Sequence, residues 1–161
     1  MALEQAERAS KLSSAMQLVV EIEREKDRPQ RTQLVWAVEA ALADFVPLAE
    51  SGGINIIRRE MADCEIAVSR KALSTALFLL LDRVFGWAKG GDVLHVEIND
   101  GDCEAQFDLR IVRQGDPLQS IEESELVILR SIFRALGAQL SAHMADKSIE
   151  LHLTFPIVTE M

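Results

Sequence analysis

The sequence predicts an α+β domain, a mainly antiparallel sheet backed by helices and preceded by a long N-terminal helix. Three observations carry that prediction. One uninterrupted amphipathic stretch, Ser69 to Ala88, occupies the middle of the chain. Two hairpin signatures, Asp100-Gly101-Asp102 and Asp146-Lys147, each sit between runs that alternate apolar and polar residues. After the first helix the elements then read α, β, β, α, β, β, α, β, β, so strand pairs alternate with long helices.

The middle stretch organises the rest. Ser69 is the expected N-cap, since its hydroxyl can accept an orphan backbone N–H of the first turn. Leu73, Leu77, Leu80, Leu81, Val84 and Phe85 recur at three- and four-residue spacing, and Phe78 and Leu79 widen that apolar face. Gly86 and the Gly90-Gly91 pair supply the stop. Asp82 falls in this apolar company beside Arg83. A buried carboxylate needs a partner, a metal or a proton. Asp82 therefore either serves a ligand or, more simply, faces solvent or pairs with a nearby arginine.

Residues 2–26 read as one helix of strong helix formers. Leu12, Ala15, Met16, Val19 and Ile22 make a narrow heptad-like stripe that suits a partner helix, and Asp27-Arg28-Pro29 breaks the helix. The division is thus 1–28 for a dimerisation-like helix and 29–161 for the domain. Leu12, Met16 and Val19 are the expected homodimer contacts; the alternative is that the helix folds back on its own domain. Residues 32–50 read as a second helix, with Pro47 marking a kink or an end near Val46. Ile54, Ile56 and Arg58 alternate as a strand, and Cys64 to Val68 is a short second one. Val93 to Asn99 and Glu104 to Val112 flank the first hairpin turn, where Gly101 is expected to supply a positive φ. Ile121 to Leu136 reads as a helix capped by Ser120 and closed by Gly137, with Leu126, Leu129, Ile132, Phe133 and Leu136 inward. Gln139 to Ala145 and Ser148 to Phe155 form the last hairpin, ended by Pro156.

Composition excludes several classes. The chain has 161 residues, 48% of them hydrophobic, which is enough for one ordinary core. Its net charge of −9, without a Lys/Arg run, argues against nucleic acid or an anionic membrane as partner. The longest apolar run, Ala76 to Leu81, falls far short of a membrane span. The two cysteines, Cys64 and Cys103, make no disulfide framework and suit a reduced, cytoplasmic setting. None of the three histidines, His95, His143 and His152, lies on a helix, and no metal-ligand or dinucleotide spacing is present.

Local text now adds to the order of elements. Residues 31–42, beginning Arg31-Thr-Gln-Leu-Val-Trp, resemble the opening helix of the ATPase-type domain of sensor histidine kinases, the Bergerat fold shared with gyrase and heat-shock chaperones. Val68 to Asp82 resembles that family's N-box helix, Leu126 to Leu140 the helix that ends in glycine, and Thr154-Phe-Pro156 the closing strand. Ser14 to Glu25 resembles the end of the second dimerisation helix. The resemblance runs from about Thr32 to Ile157 and implies an ATP- and Mg²⁺-using kinase domain.

The family's nucleotide boxes do not follow the fold. An ungapped match back from Gly90-Gly91 puts Asp82 where the family holds Mg²⁺ with Asn, and Phe78 where a second Asn stands. The first glycine box reads Arg113-Gln-Gly115-Asp-Pro117, so a guanidinium, which only donates, replaces the acceptor of the adenine amino group. Pro117 replaces a glycine. The second glycine box reads Glu122-Glu123-Ser124-Glu125, whose carboxylates repel a triphosphate, although the same acids suit a helix N-terminus. Asp82, Arg113, Gly115, Pro117, Glu123 and Glu125 thus mark a degenerate nucleotide site. No cofactor is expected. The reading is a regulatory or protein-interaction module of two-component signalling, whose partner is a response regulator or a kinase. The alternatives are a divergent, active histidine kinase domain using ATP and Mg²⁺ through Asp82, and a fragment of a histidine phosphotransferase.

Overall fold

The computed structural model describes residues 13, 16–21, 24, 31–118 and 121–158. Its elements are β1 (Thr32–Gln33), α1 (Leu34–Gly52), β2 (Asn55–Met61), β3 (Glu65–Ile66), α2 (Arg70–Trp87), β4 (Val93–Asp100), β5 (Glu104–Val112), α3 (Glu123–Ala135), β6 (Gln139–Ala145) and β7 (Ser148–Pro156). Residues 16–21 are helical as well. The main sheet has the order β2-β4-β5-β7-β6. Every neighbour pair is antiparallel except β2–β4, which is parallel. Parallel neighbours need a crossover, and α2 provides it.

Alternation fixes which face each strand buries. Leu94, Val96 and Ile98 of β4, Phe107, Leu109 and Ile111 of β5, and Ile149, Leu151, Leu153 and Phe155 of β7 all point into the core. The helices cover that face. Phe133 of α3 meets Phe155 edge-on with ring centres 6.2 Å apart, and Phe45 of α1 stacks on Phe85 of α2 at 5.1 Å. The other sheet face is polar and open, carrying His95, Glu97, Asp108, Arg110, Glu150 and His152.

Local chemistry explains the boundaries. Ser69 caps α2 as expected, its hydroxyl accepting the Ala72 N–H at 3.4 Å. The helix ends at Trp87, so Gly86 lies inside it rather than stopping it. Pro47 does not end α1, which continues to Gly52 with the proline inside it. Proline frees the carbonyl four residues back, and both Pro47 and Ala43 face water, which can serve that carbonyl, while Phe45 and Ala49 stay buried. α3 starts at Glu123 with Glu122 as its N-cap and no side-chain cap; Ser120, the expected cap, lies outside the described residues. α3 closes at Gly137, with φ at 83°, where the Gly137 and Ala138 N–H groups donate to Arg134 and Phe133 carbonyls.

Gly101 is needed for a different reason than expected. Its φ is not positive, but a Cβ there would stand 2.8 Å from the Glu104 carbonyl oxygen that accepts its own N–H. β3 falls inside the strand expected at Cys64 to Val68, but its pairing partner β1 was expected to be the start of a helix. Thr32–Gln33 pairs with Glu65–Ile66, and the Thr32 hydroxyl donates to the Val68 carbonyl at 2.7 Å.

The N-terminal segment docks on the domain, the alternative offered from sequence, through Leu18 outside the expected stripe and Val19 within it. Leu18 is 6% exposed and belongs to the domain's core, and Val19 packs against that core. Met16 and Val20 face outward. Leu12 lies outside the described residues.

Candidate functional site

The hairpin β4–β5 builds the floor of the site. Its last rung pairs Val93 with Val112, so the residues just beyond, Asp92 and Arg113, come face to face. Arg113 donates from Nε to Asp92 Oδ1 at 2.9 Å and from Nη2 to Oδ2 at 2.8 Å. The same Nη2 donates to the Trp87 carbonyl at 3.1 Å, and the Lys89 N–H donates to Asp92 Oδ2 at 2.8 Å. The two side chains are 8% and 2% exposed. Burial alone would raise the Asp92 carboxyl; the hydrogen bonds from Arg113 and Lys89 outweigh it and hold the group below its ordinary value. The hydrogen bond to Asp92 in turn pushes Arg113 up, against its own burial.

Above this floor lies a cleft of about 220 Å³. Arg83, Gly86 and Trp87 of α2 line one wall, sharing a helix face by their three- and four-residue spacing. Glu122 and Glu125 at the start of α3 line the other, and Ile149 of β7 and Leu118 close it. Glu125 ties the walls together. It accepts from Trp87 Nε1 at 3.2 Å and stands 3.5 Å from Arg83 Nη1. Arg83 Nε is buried without a hydrogen-bond partner among the described residues.

Of the residues singled out from sequence, Arg113 and Glu125 meet in this cleft. Asp82 does not. It is exposed on α2, one residue round the helix from Arg83, and it is Arg83 that reaches the cleft. Asp82 thus faces solvent, the simpler of the two readings offered for it from sequence. Gly115 and Pro117 are exposed in the loop beyond Arg113, with open space around Gly115. Glu123 is exposed and pairs with Arg130 at 3.2 Å along α3. Asp92, Lys89 and Trp87 were not singled out. Asp92 was findable, because any hairpin that pairs residue 93 with 112 also brings 92 to 113.

The remaining titratable groups lie elsewhere. His95 accepts from Arg59 Nε at 3.1 Å; burial, then Arg59 and Arg110, hold its pKa down. His152 bonds Asp108 at 2.7 Å through Nδ1 and stands 3.5 Å from Glu150, and the Asp108 bond raises its pKa. Both sit on the open sheet face, as strand-face residues should. Burial, then Asp100, pushes the Cys64 thiol up to about 11, while Cys103 is exposed. Among the described residues no group of three His, Cys, Asp or Glu is placed to hold a metal ion, and no helix is long and apolar enough to cross a membrane.

Comparison with known structures decides the fold. The chain is similar to Acinetobacter baumannii histidine kinase AdeS, with a TM-score of 0.69 and 14% identity over 98% of this chain and 82% of that one. It is similar to the cytoplasmic segment of histidine kinase QseC, with a TM-score of 0.64 and 16% identity over 89% and 93%. This is the fold of the histidine kinase catalytic domain. A third structure with the histidine kinase fold, ThkA in complex with response regulator protein TrrA, matches with a TM-score of 0.67 and 13% identity; 93% of this chain covers 49% of that one. No family model and no curated protein matches the chain. The histidine kinase fold therefore rests here on architecture, while the cleft residues are this chain's own.

Proposed function

We propose that this domain is a degenerate histidine-kinase ATPase-like module that acts in two-component signalling through its protein surfaces and does not bind ATP. The observation that supports this most strongly is the Asp92–Arg113 clasp. Matched to the histidine kinase resemblance, Arg113 stands where an acceptor should meet the adenine amino group. Its Nε and Nη2 are already committed to Asp92 and the Trp87 carbonyl. An adenine donor placed there would face a donor, and each buried orphan costs roughly 1–3 kcal/mol. The cleft adds to this. At about 220 Å³ it is smaller than the roughly 300–1,000 Å³ of ordinary small-molecule sites. Glu122 and Glu125 stand where phosphates would need donors. ATP and Mg²⁺ do not fit these residues, and an active-kinase reading would need Asp82, which does not line the cleft, to reach a nucleotide held there.

A response regulator is the partner class proposed, since a protein of the same fold is found in complex with one. The expected result is that isothermal titration of the purified chain with ATP and Mg²⁺ gives no heat of binding, and that neither nucleotide nor metal shifts its melting temperature. A Kd in the micromolar range, about −8 kcal/mol of binding free energy, would overturn the proposal.

A further inference from the structure

β6 (Gln139–Ala145) ends the main sheet and is paired on one side only, with β7. Its other side offers a row of backbone N–H and C=O groups with no strand beside it among the described residues. Folded proteins blunt such edges with charge, proline or a bulge, because a bare edge templates pairing with another chain. The opposite edge strand is blunted. β2 (Asn55–Met61) carries Arg58, Arg59 and Glu60, and its register shifts between Arg58 and Met61. β6 has none of these devices. Gln139-Leu-Ser-Ala-His-Met-Ala145 holds no Asp, Glu, Lys, Arg or Pro, and its register against β7 runs unbroken from Gln139 to Ala145.

Apolar surface adjoins the bare edge. Met144 is 42% exposed although it points to the core side of the sheet, because the sheet stops there. α3 packs on β6 and runs back along it, since only residues 136–138 join the two. Its first turns therefore lie over the far end of the strand, where Val127 is 50% exposed. The occupant must also suit a chain of net charge −9. Two such chains repel least across a strip that carries no charge.

We propose that β6 pairs antiparallel with β6 of a second copy about a two-fold axis through Ala142, joining two sheets into one. Facing residues in such a ladder must both turn their backbone groups outward, so their numbers sum to an even constant. An axis at Ala142 pairs the whole strand. Leu140 then faces Met144 of the second copy on the core side, and Ser141 faces its His143 on the open side. Each contact occurs twice, as a two-fold interface requires. The sequence of β6 is thus complementary to itself, apolar to apolar and hydroxyl to imidazole.

Sedimentation velocity of the full chain over a concentration series tests this. The parent should show a monomer–dimer equilibrium. Met144→Lys should weaken it by about tenfold or more by adding the missing edge charge, whereas Ile57→Lys on the opposite edge should leave it unchanged. Unaltered thermal melts establish that both variants fold. Ala142→Cys in a Cys103→Ser background should cross-link to itself under mild oxidation, because facing Cβ atoms across a ladder stand about 5 Å apart; Ile57→Cys in the same background should not. A parent that stays monomeric at every concentration overturns the proposal. So does a dimer that survives Met144→Lys, including one that only Met16→Glu abolishes, which would place the contact on the N-terminal helix.

Discussion

Replacing Arg113 with methionine is expected to cost the fold about 3–5 kcal/mol, because it leaves the Asp92 carboxylate buried and unpaired. Asp92 is 2% exposed, and in the parent both its oxygens are bonded, to Arg113 and to the Lys89 N–H. Urea melts followed by circular dichroism measure the loss. The sign of the pH dependence makes the test specific. In the parent the folded pKa of Asp92 lies below the unfolded one, so its contribution is present above about pH 3.9 and is lost as pH falls through the folded value. In the variant only Lys89 still opposes burial, so the folded pKa moves up from the parent's and the stability that the ionised carboxylate contributed through Arg113 is gone at neutral pH, a difference that shrinks as acid protonates Asp92. The gap between parent and variant should therefore narrow on acidification. A constant gap, or a loss below about 1 kcal/mol, would show that the pair contributes nothing beyond its surroundings.

Phe133→Ala is the second large effect, expected at about 3–5 kcal/mol. Phe133 and Phe155 are both 0% exposed and meet edge-on, so truncation removes burial and leaves a cavity at once. The ring also fastens α3 to β7, and α3 carries Glu125 to the cleft wall. Loss of stability should therefore come with loosening of the Trp87–Glu125 contact, read as a shift in the tryptophan fluorescence of a Trp36→Phe background. An unchanged melt would mean that α3 is held by other contacts.

How much of this was legible from sequence divides along the range of the interactions. The β4–β5 and β6–β7 hairpins and α2 were readable because alternation, tight turns and the Ser69 cap are local. The pairing of β1 with β3 was not, although β3 lies within the expected Cys64–Val68 strand, since Thr32–Gln33 and Glu65–Ile66 are two residues each and meet across more than thirty positions. The parallel pairing of β2 with β4 depends on a crossover that no local pattern reports. Pro47 misled because its effect depends on whether the freed carbonyl faces water. Leu18 was overlooked because the heptad stripe was drawn for a partner helix, and the domain itself supplies the partner. At the cleft, Arg113 and Glu125 were found through the resemblance, whereas Asp82 faces solvent, because an apolar helix face told from spacing alone does not say on which side of its edge a flanking residue falls. A helix turns about 100° per residue, so neighbouring positions such as Asp82 and Arg83 can fall on opposite sides of that edge.

The depth of the Asp92–Arg113 pair has a last consequence, for its behaviour in concentrated salt. Mobile ions screen charges only where solvent reaches them, over about 8 Å at physiological ionic strength. Arg58–Glu39 and Arg130–Glu123 lie in that reach, on the outer helix and strand surfaces. The clasp beneath the cleft does not. Raising sodium chloride should loosen the former and leave the latter closed, so the cleft floor keeps its shape under conditions that dissolve the surface attachments around it.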